Sequence, residues 1–465
     1  MIHAAMVLVS LLCILVSNGS AAAAVAGDCT MYVSANGADT NSGVSPPAPK
    51  TLHGASSISK PGDVICLLGG TYKLSSTFYP EQSGTANAWI VYKNYGDGDV
   101  QFVWAADASA ADINMFHFYS RTFPAGKSYI EIRGLKFDGN NTASAALKCA
   151  GSHHLRFIDN TIQNTGESGI ATKFCDYVTA IGNKIHHTGY NQGWSSGISY
   201  NSHQWFDTYP GFHSVAVNNF ISGNYDNSSH QTEGNGIIID LSDSSYNFNS
   251  ANTPPVLVAN NVVYGNGGRC IIAFVVTNVW VVNNTCYKNS LDLRQSSIGE
   301  FAASSSKNSY FINNIAQAWN NHWTYQQIAP NQNIVFYRNI FYGGATDFTY
   351  ADPTQLINTN PLFVNPPPIE EAKAGQQAMA LSSEQLGNGL SILSTSPALD
   401  TGIDPTTLPN LPREIVDGLR LYVLRDVVGT PRPCGAAFDI GAYEYPGSCV
   451  APPPAPTGLT VKRVQ

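Results

Sequence analysis

The sequence predicts an all-β chain wound as a right-handed parallel β-helix, a solenoid interrupted by long loop insertions. Three observations carry that prediction. A β-rich triplet, one or two Asn or Gly, and a second apolar pair recur seven times along the chain. The tightest intervals between copies are 23 residues, about one coil of three short strands. Each copy also places an Asn where such a coil must turn a corner.

The copies are Phe157-Ile-Asp-Asn-Thr-Ile162, Ala180-Ile-Gly-Asn-Lys-Ile185, Val217-Asn-Asn-Phe-Ile221, Val258-Ala-Asn-Asn-Val-Val263, Val282-Asn-Asn-Thr-Cys286, Ile312-Asn-Asn-Ile315 and Tyr337-Arg-Asn-Ile340. Aligned on the last Asn, they mark Asn160, Asn183, Asn219, Asn261, Asn284, Asn314 and Asn339. Asn tolerates the left-handed backbone of a sharp corner, and its amide can bond the same amide in the coils above and below. The flanking apolar residues stack inside. A β-sandwich with frequent Asn turns could show the same phrases but would not keep this interval. Longer intervals mark insertions, of which 190–212 and 225–255 are rich in aromatic, His and acidic residues. Loops of that length on a rigid stack commonly carry function.

At the N-terminus an apolar run over 6–16 and small residues over 21–26 read as a signal peptide, residues 1–26, cut near Ala26 or Gly27. This places the mature chain outside the cytoplasm, extracellular or periplasmic. The run is too short to span a bilayer and nothing else approaches that length, so no membrane partner is expected. Beyond Cys13 eight cysteines remain, an even number that fits disulfides. Sequence neighbours are the simplest pairs (Cys149 with Cys175, Cys270 with Cys286, Cys434 with Cys449), although eight thiols allow many connectivities. Only 12% of residues are charged and the net charge is -8, which argues against nucleic acid and weighs mildly against a strongly anionic substrate. A monomer is expected.

The segment Tyr32-Val-Ser-Ala-Asn-Gly-Ala-Asp-Thr-Asn-Ser-Gly, with Lys50-Thr-Leu, Lys60-Pro-Gly-Asp-Val-Ile and Gly69-Gly-Thr-Tyr72, resembles the N-terminal cap of bacterial β-helix polysaccharide lyases. Chondroitinase B, alginate lyase and pectate lyases share that opening. The resemblance implies a capping helix over 51–60. Asn360-Pro-Leu-Phe-Val, Ser396-Pro-Ala-Leu-Asp400 and Asp439-Ile-Gly-Ala-Tyr-Glu-Tyr445 resemble the closing module of secreted bacterial β-helix proteins. The expected organisation is a capped β-helix over 27–345, a closing module over 346–448 and a Pro-rich tail over 449–465 that resembles a linker into a fibronectin type III module. The same scaffold hosts unrelated activities, so function has to be argued from the site.

Outward residues of successive coils form columns about 4.8 Å apart, close enough for several to act on one sugar. Gly169-Ile-Ala-Thr-Lys173, Gly197-Ile-Ser-Tyr-Asn201 and Gly236-Ile-Ile-Ile-Asp240 align. With Ile170, Ile198 and Ile237 inward, alternation sends Lys173, Asn201 and Asp240 outward in one column. Arg269 and Glu300 follow in the next coils. A lyase needs a group to neutralise the uronate carboxylate, a base for the C5 proton and a route for the leaving oxygen. In the lyases this chain resembles, calcium held by carboxylates often does the first job and Lys or Arg the second. That scheme makes Lys173 the base, Arg269 its helper and Asp240 part of a metal or electrostatic site.

A second constellation, Asp226, His230 and Glu233, lies in the loop leading to Asp240. Its oxygens suit Ca2+, with Asp226, Glu233 and Asp240 as ligands, and its His suits acid-base work. An Asx-turn loop satisfying its own backbone would carry the same residues. Of the aromatics in the first insertion, Trp194 and Trp205, with Tyr200 beside Asn201, are assigned to substrate, and Phe206, Tyr209 and Phe212 to loop packing. His203 and His213 suit structural roles equally well.

The first expectation is therefore a polysaccharide lyase cleaving a uronate-containing chain by β-elimination. A glycoside hydrolase would instead use two of Asp226, Glu233, Asp240 and Glu300. A noncatalytic carbohydrate-binding surface protein would need only the aromatic groove.

Overall fold

The computed structural model describes residues 29–105, 113–191, 193–241, 252–295, 298–347, 353–369 and 386–449. The expected signal peptide and most of the Pro-rich tail lie outside them. Strands of three to six residues dominate, and every pairing between them is parallel, each strand bonding to its counterpart one coil away. The result is a right-handed parallel β-helix of three ladders.

The first ladder has eleven strands from Met31–Val33 to Gln332–Tyr337. The second runs from Gly70–Leu74 through Lys136–Asp138, Thr161–Gln163 and Lys184–His186 to Leu356–Ile357. The third takes Phe116–Tyr119, Leu147–Ala150, Ile170–Lys173, Ser196–Asn201, Asn235–Asp240, Ile271–Phe274 and Gly299–Ser304. Second and third ladders meet in the long strand Ile315–Gln327.

Each strand sends alternate residues inward, where like stacks on like. Ile170, Ile198, Ile237, Ile271 and Phe301 occupy successive rungs and are all fully buried. Each such side chain contributes about 1.5–3 kcal/mol by leaving water.

All seven predicted corner asparagines are fully buried and joined in one chain of hydrogen bonds. The amide of Asn160 donates to Asn183 Oδ1 (3.1 Å), Asn183 to Asn219 (3.0 Å), Asn219 to Asn261 (2.9 Å), Asn261 to Asn284 (2.9 Å), Asn284 to Asn314 (2.9 Å) and Asn314 to Asn339 (2.9 Å). The residue before most of these adopts positive φ, as at Asp159 (54°) and Asn260 (54°), which turns the corner. A second, shorter ladder passes from Thr188 through Asn224, Asn266 and Asn289 to Glu300.

The two insertions are not continuous loops. Strands Ser196–Asn201 and Asn235–Asp240 cut through them, because each segment carries an inward Ile that the core requires. The first insertion's loop over 202–213 packs on a stack of rings along the first ladder, Tyr129, His154, Tyr177 and His213, with centroids 4.5, 4.3 and 4.3 Å apart.

A short helix, Leu52–Ile58, lies within the predicted 51–60. Thr51 caps it by accepting from Gly54 N, and Leu52 and Ala55 join the core beside Val33 and Ile65. Near the other end, helix Arg413–Val423 lays Ile415, Leu419 and Val423 on Val217, Leu257 and Trp280 of the first ladder's outer face. Beyond it, Arg432 and Glu444 form a buried ion pair at 2.6 Å. Glu444 also accepts from the backbone of Cys434 and Asp439, within the Asp439–Glu444 motif. Four disulfides close the chain: Cys29–Cys66 and the three neighbour pairs Cys149–Cys175, Cys270–Cys286 and Cys434–Cys449. Four bridges suit an oxidising compartment. Among the described residues no helix is long and apolar enough to cross a membrane.

Candidate functional site

The third ladder presents two outward columns. In one, Tyr119, Ala150, Lys173, Asn201, Asp240 and Phe274 stand on successive rungs. In the other, His117, Lys148, Ala171 and Ser199 do so. Over these columns lies a cleft of about 650 Å³ whose polar walls are Lys148, Glu167, Lys173, Ser199, Asn201 and Asp240, with Trp194 at its side. Lys173, Asn201 and Asp240 thus share one surface.

The strand ends here because Ser202, with φ 52°, turns the chain away, and its hydroxyl donates to Asn201 Oδ1 (2.7 Å). This fixes the amide so that its NH2 donates to Asp240 Oδ1 (3.2 Å). Burial pushes the Asp240 carboxyl up to about 7, against the opposing effects of the Asn201 amide and the Lys173 charge. Lys173 itself is exposed, and Phe274, one rung past Asp240, presents an exposed ring. Trp194 is 66% exposed and its ring lies on His230, centroids 3.8 Å apart. His230 therefore backs the aromatic wall.

Two groups were not read from the sequence. Lys148 and Glu167 line the cleft and pair at 2.5 Å. Lys148 was findable by register, since Leu147-Lys-Cys-Ala150 lies on the rung before Ile170-Ala-Thr-Lys173. It lacks the Gly-Ile opening that marked the other strands.

Several predicted site residues stand elsewhere. Tyr200 is fully buried inside the coil, its hydroxyl donating to Val215 O (2.8 Å) and Val178 O (3.2 Å). Alternation with outward Asn201 requires that. Trp205 belongs to the first-ladder loop, donating to Asn252 O and standing edge-on to His213. Arg269 pairs with the level of Gly236, four residues before Asp240 and roughly 13 Å along the strand, so it cannot assist Lys173. Its guanidinium bonds Gln326 (3.3 Å) and burial pulls it down to about 10. Glu300 is buried at the foot of the second Asn ladder, accepting from Asn289 N (2.8 Å) and Nδ2 (2.6 Å). Both oxygens serve the corner. His203 is buried against Tyr200, and His213 bonds buried Asp176 (2.7 Å).

The predicted calcium ligands do not converge. Asp226 is buried and accepts from the backbone of Ser228, Thr232 and Glu233, ordering its own loop as an Asx turn. Glu233 is half-buried beside Asn235 and Ser196, and burial followed by the charge of Asp240 pushes its carboxyl up to about 8. Among the described residues, the one group of three His, Cys, Asp or Glu with ligand atoms within 4.8 Å of one another is Cys270, Cys286 and Glu300, and its cysteines form a disulfide. The residues present do not fit a calcium site of the predicted composition.

No protein-family model matches the chain, and no curated protein matches it. Among solved structures it is similar to a pectate lyase, at 15% identity over 90% of this chain and 99% of that chain with a TM-score of 0.43. It is also similar to a rhamnogalacturonan lyase, at 14% identity over 78% and 96% with a TM-score of 0.45. A glycoside hydrolase is similar at 10% identity over 70% and 94% with a TM-score of 0.48.

Proposed function

We propose that the protein is a secreted enzyme that cleaves a uronate-containing polysaccharide by β-elimination in the third-ladder cleft. The observation that carries this reading is the column Lys173, Asn201, Asp240: a cation, an amide and a carboxyl poised near neutrality, about 4.8 Å apart per rung. Asp240 takes the C5 proton, since a base works best when it titrates near the working pH; the electron pair left at C5 forms the C4–C5 double bond as the C4–O bond breaks, and the protonated Asp240 carboxyl returns its proton to the leaving oxygen. Lys173 neutralises the uronate carboxylate, the charge that otherwise opposes removal of that proton. Asn201 holds Asp240 in place, and Trp194 offers a ring face to the sugar. This exchanges the roles that the sequence suggested for Lys173 and Asp240. No step runs through a metal, and chelator is expected to leave the rate unchanged; a rate abolished by chelator and restored by calcium would refute that.

A second reading is glycoside hydrolysis, favoured by Glu167 as a second carboxyl lining the same cleft. The two readings separate on products and on pH. Elimination with Asp240 as base gives unsaturated, ultraviolet-absorbing ends and a rate that rises with pH through about 7. Hydrolysis with Asp240 as general acid gives reducing ends alone and a rate that falls over the same range. Under elimination, Asp240→Asn and Lys173→Ala each lose at least about a hundredfold in kcat/KM on polysaccharide. Full turnover by either variant, with the fold intact by circular dichroism, would overturn its assigned role.

A further inference from the structure

The columns that carry the cleft continue past it toward the N-terminus. One rung before Lys148 stands His117, and one rung before that stands Tyr79, since His117 N donates to Phe78 O and Phe78 bridges Phe116 in parallel. In the neighbouring column, Tyr119 precedes Ala150. The three rings touch: Tyr79 lies 5.6 Å from His117, which lies 5.0 Å from Tyr119. Tyr79 and Tyr119 are 49% and 44% exposed, so two large rings face solvent side by side in line with the cleft floor. Exposed clustered aromatics of this kind mark a binding surface more often than a solvated face.

Distance gives the platform a meaning. From Tyr119 to Asp240 the rungs are Ala150, Lys173 and Asn201, which makes four strand spacings, roughly 19 Å. An extended pyranose chain advances by about one strand spacing per sugar. A chain lying along the ladder with its scissile bond at Asp240 would bring a ring about four sugars away onto the tyrosines. The intervening rung is Ala150, whose small side chain leaves the floor low between platform and Lys173. Lys148 stands in the other column at that rung, facing the same chain.

We infer that Tyr79, His117 and Tyr119 form a distal sugar-binding subsite that stacks on the apolar face of a pyranose in a polymeric chain, making the enzyme selective for long over short substrates. The inference rests on the cleavage reading for the position of the scissile bond, but binding at the platform does not depend on catalysis. Recognition there is by ring faces and needs no charge on the sugar.

Two measurements test it. The first is retardation of the full-length Asp240→Asn protein in gels containing polygalacturonate, alginate, galactan or xylan, with and without Tyr79→Ala and Tyr119→Ala. The tyrosine pair should weaken binding to the preferred polymer by about tenfold, since two stacked rings are lost. The second is the ratio of kcat/KM on that polymer to kcat/KM on its trisaccharide, in the otherwise native protein. That ratio should fall by about the same factor. Tyr119→Phe should restore it, because stacking does not need the hydroxyl. If no polymer is retarded, or the ratio is unmoved by the tyrosine pair, the subsite is refuted. Retardation that depends on the tyrosines without any cleavage would sustain the subsite and sink the elimination reading instead.

Discussion

Asn201 shows how one side chain can set the chemistry of its neighbour. Its amide is oriented by Ser202 and donates to Asp240, stabilising the ionised carboxylate against the burial that pushes that group up to about 7. Removing the donor leaves burial less opposed, so the Asp240 carboxyl titrates higher. In Asn201→Ala the rising limb of the pH-rate profile is expected to move to higher pH, with the alkaline plateau lowered far less than the rate near neutrality. A purely structural residue would lower the rate at all pH values alike, and that pattern would remove Asn201 from its positioning role. Tyr200, one residue earlier, illustrates the opposite limit: the same strand that exposes Asn201 must bury it.

At the scale of an element, the Asn ladder is the device that keeps the coils in register. Each member gives its amide hydrogens to the next amide and to a backbone carbonyl of a preceding coil, as Asn284 does with Asn314 and Val258 O (2.9 Å). Deleting one amide strands donors and acceptors on both sides in a fully buried site. Asn284→Ala is expected to cost about 2–4 kcal/mol in denaturant unfolding, from two unsatisfied groups at about 1–3 kcal/mol each after relaxation. A cost under about 0.5 kcal/mol would mean that the ladder relaxes and does not set register. The ladder was legible because the corner asparagines repeat at a visible interval. The second ladder was not, since only Asn224, Asn266 and Asn289 repeat in it and its two ends are the unlike residues Thr188 and Glu300. That is also why Glu300 resembled a catalytic acid: sequence cannot separate a carboxylate that faces sugar from one that faces two N–H donors.

For the molecule as a whole, stability comes from stacking like on like, and the disulfides act as ties across it. Cys149–Cys175 links successive coils at the third ladder across 26 residues. Replacing both cysteines by alanine is expected to lower stability by about 2–4 kcal/mol, read as a lower denaturation midpoint, because closing a loop of that length restricts the unfolded chain. An unchanged midpoint would show that the coil alone holds this region. Among the described residues, helix Arg413–Val423 covers part of the first ladder's outer face, whereas a cleft lies over the polar outer columns of the third ladder.

The sequence by itself determined the solenoid, its corner asparagines, its inward isoleucines and the outward alignment of Lys173, Asn201 and Asp240. All of these follow from period: a residue's place in its coil is set by its neighbours along the chain, and repetition makes that place visible. Only the tertiary structure decided which acids reach the cleft. Asp226 spends its oxygens on its own loop, Glu300 ends a ladder and Arg269 sits at the far end of its strand, while Lys148 and Glu167 join the site unannounced. These outcomes depend on where irregular loops fold back and which donors they meet, and no periodicity along the chain encodes that.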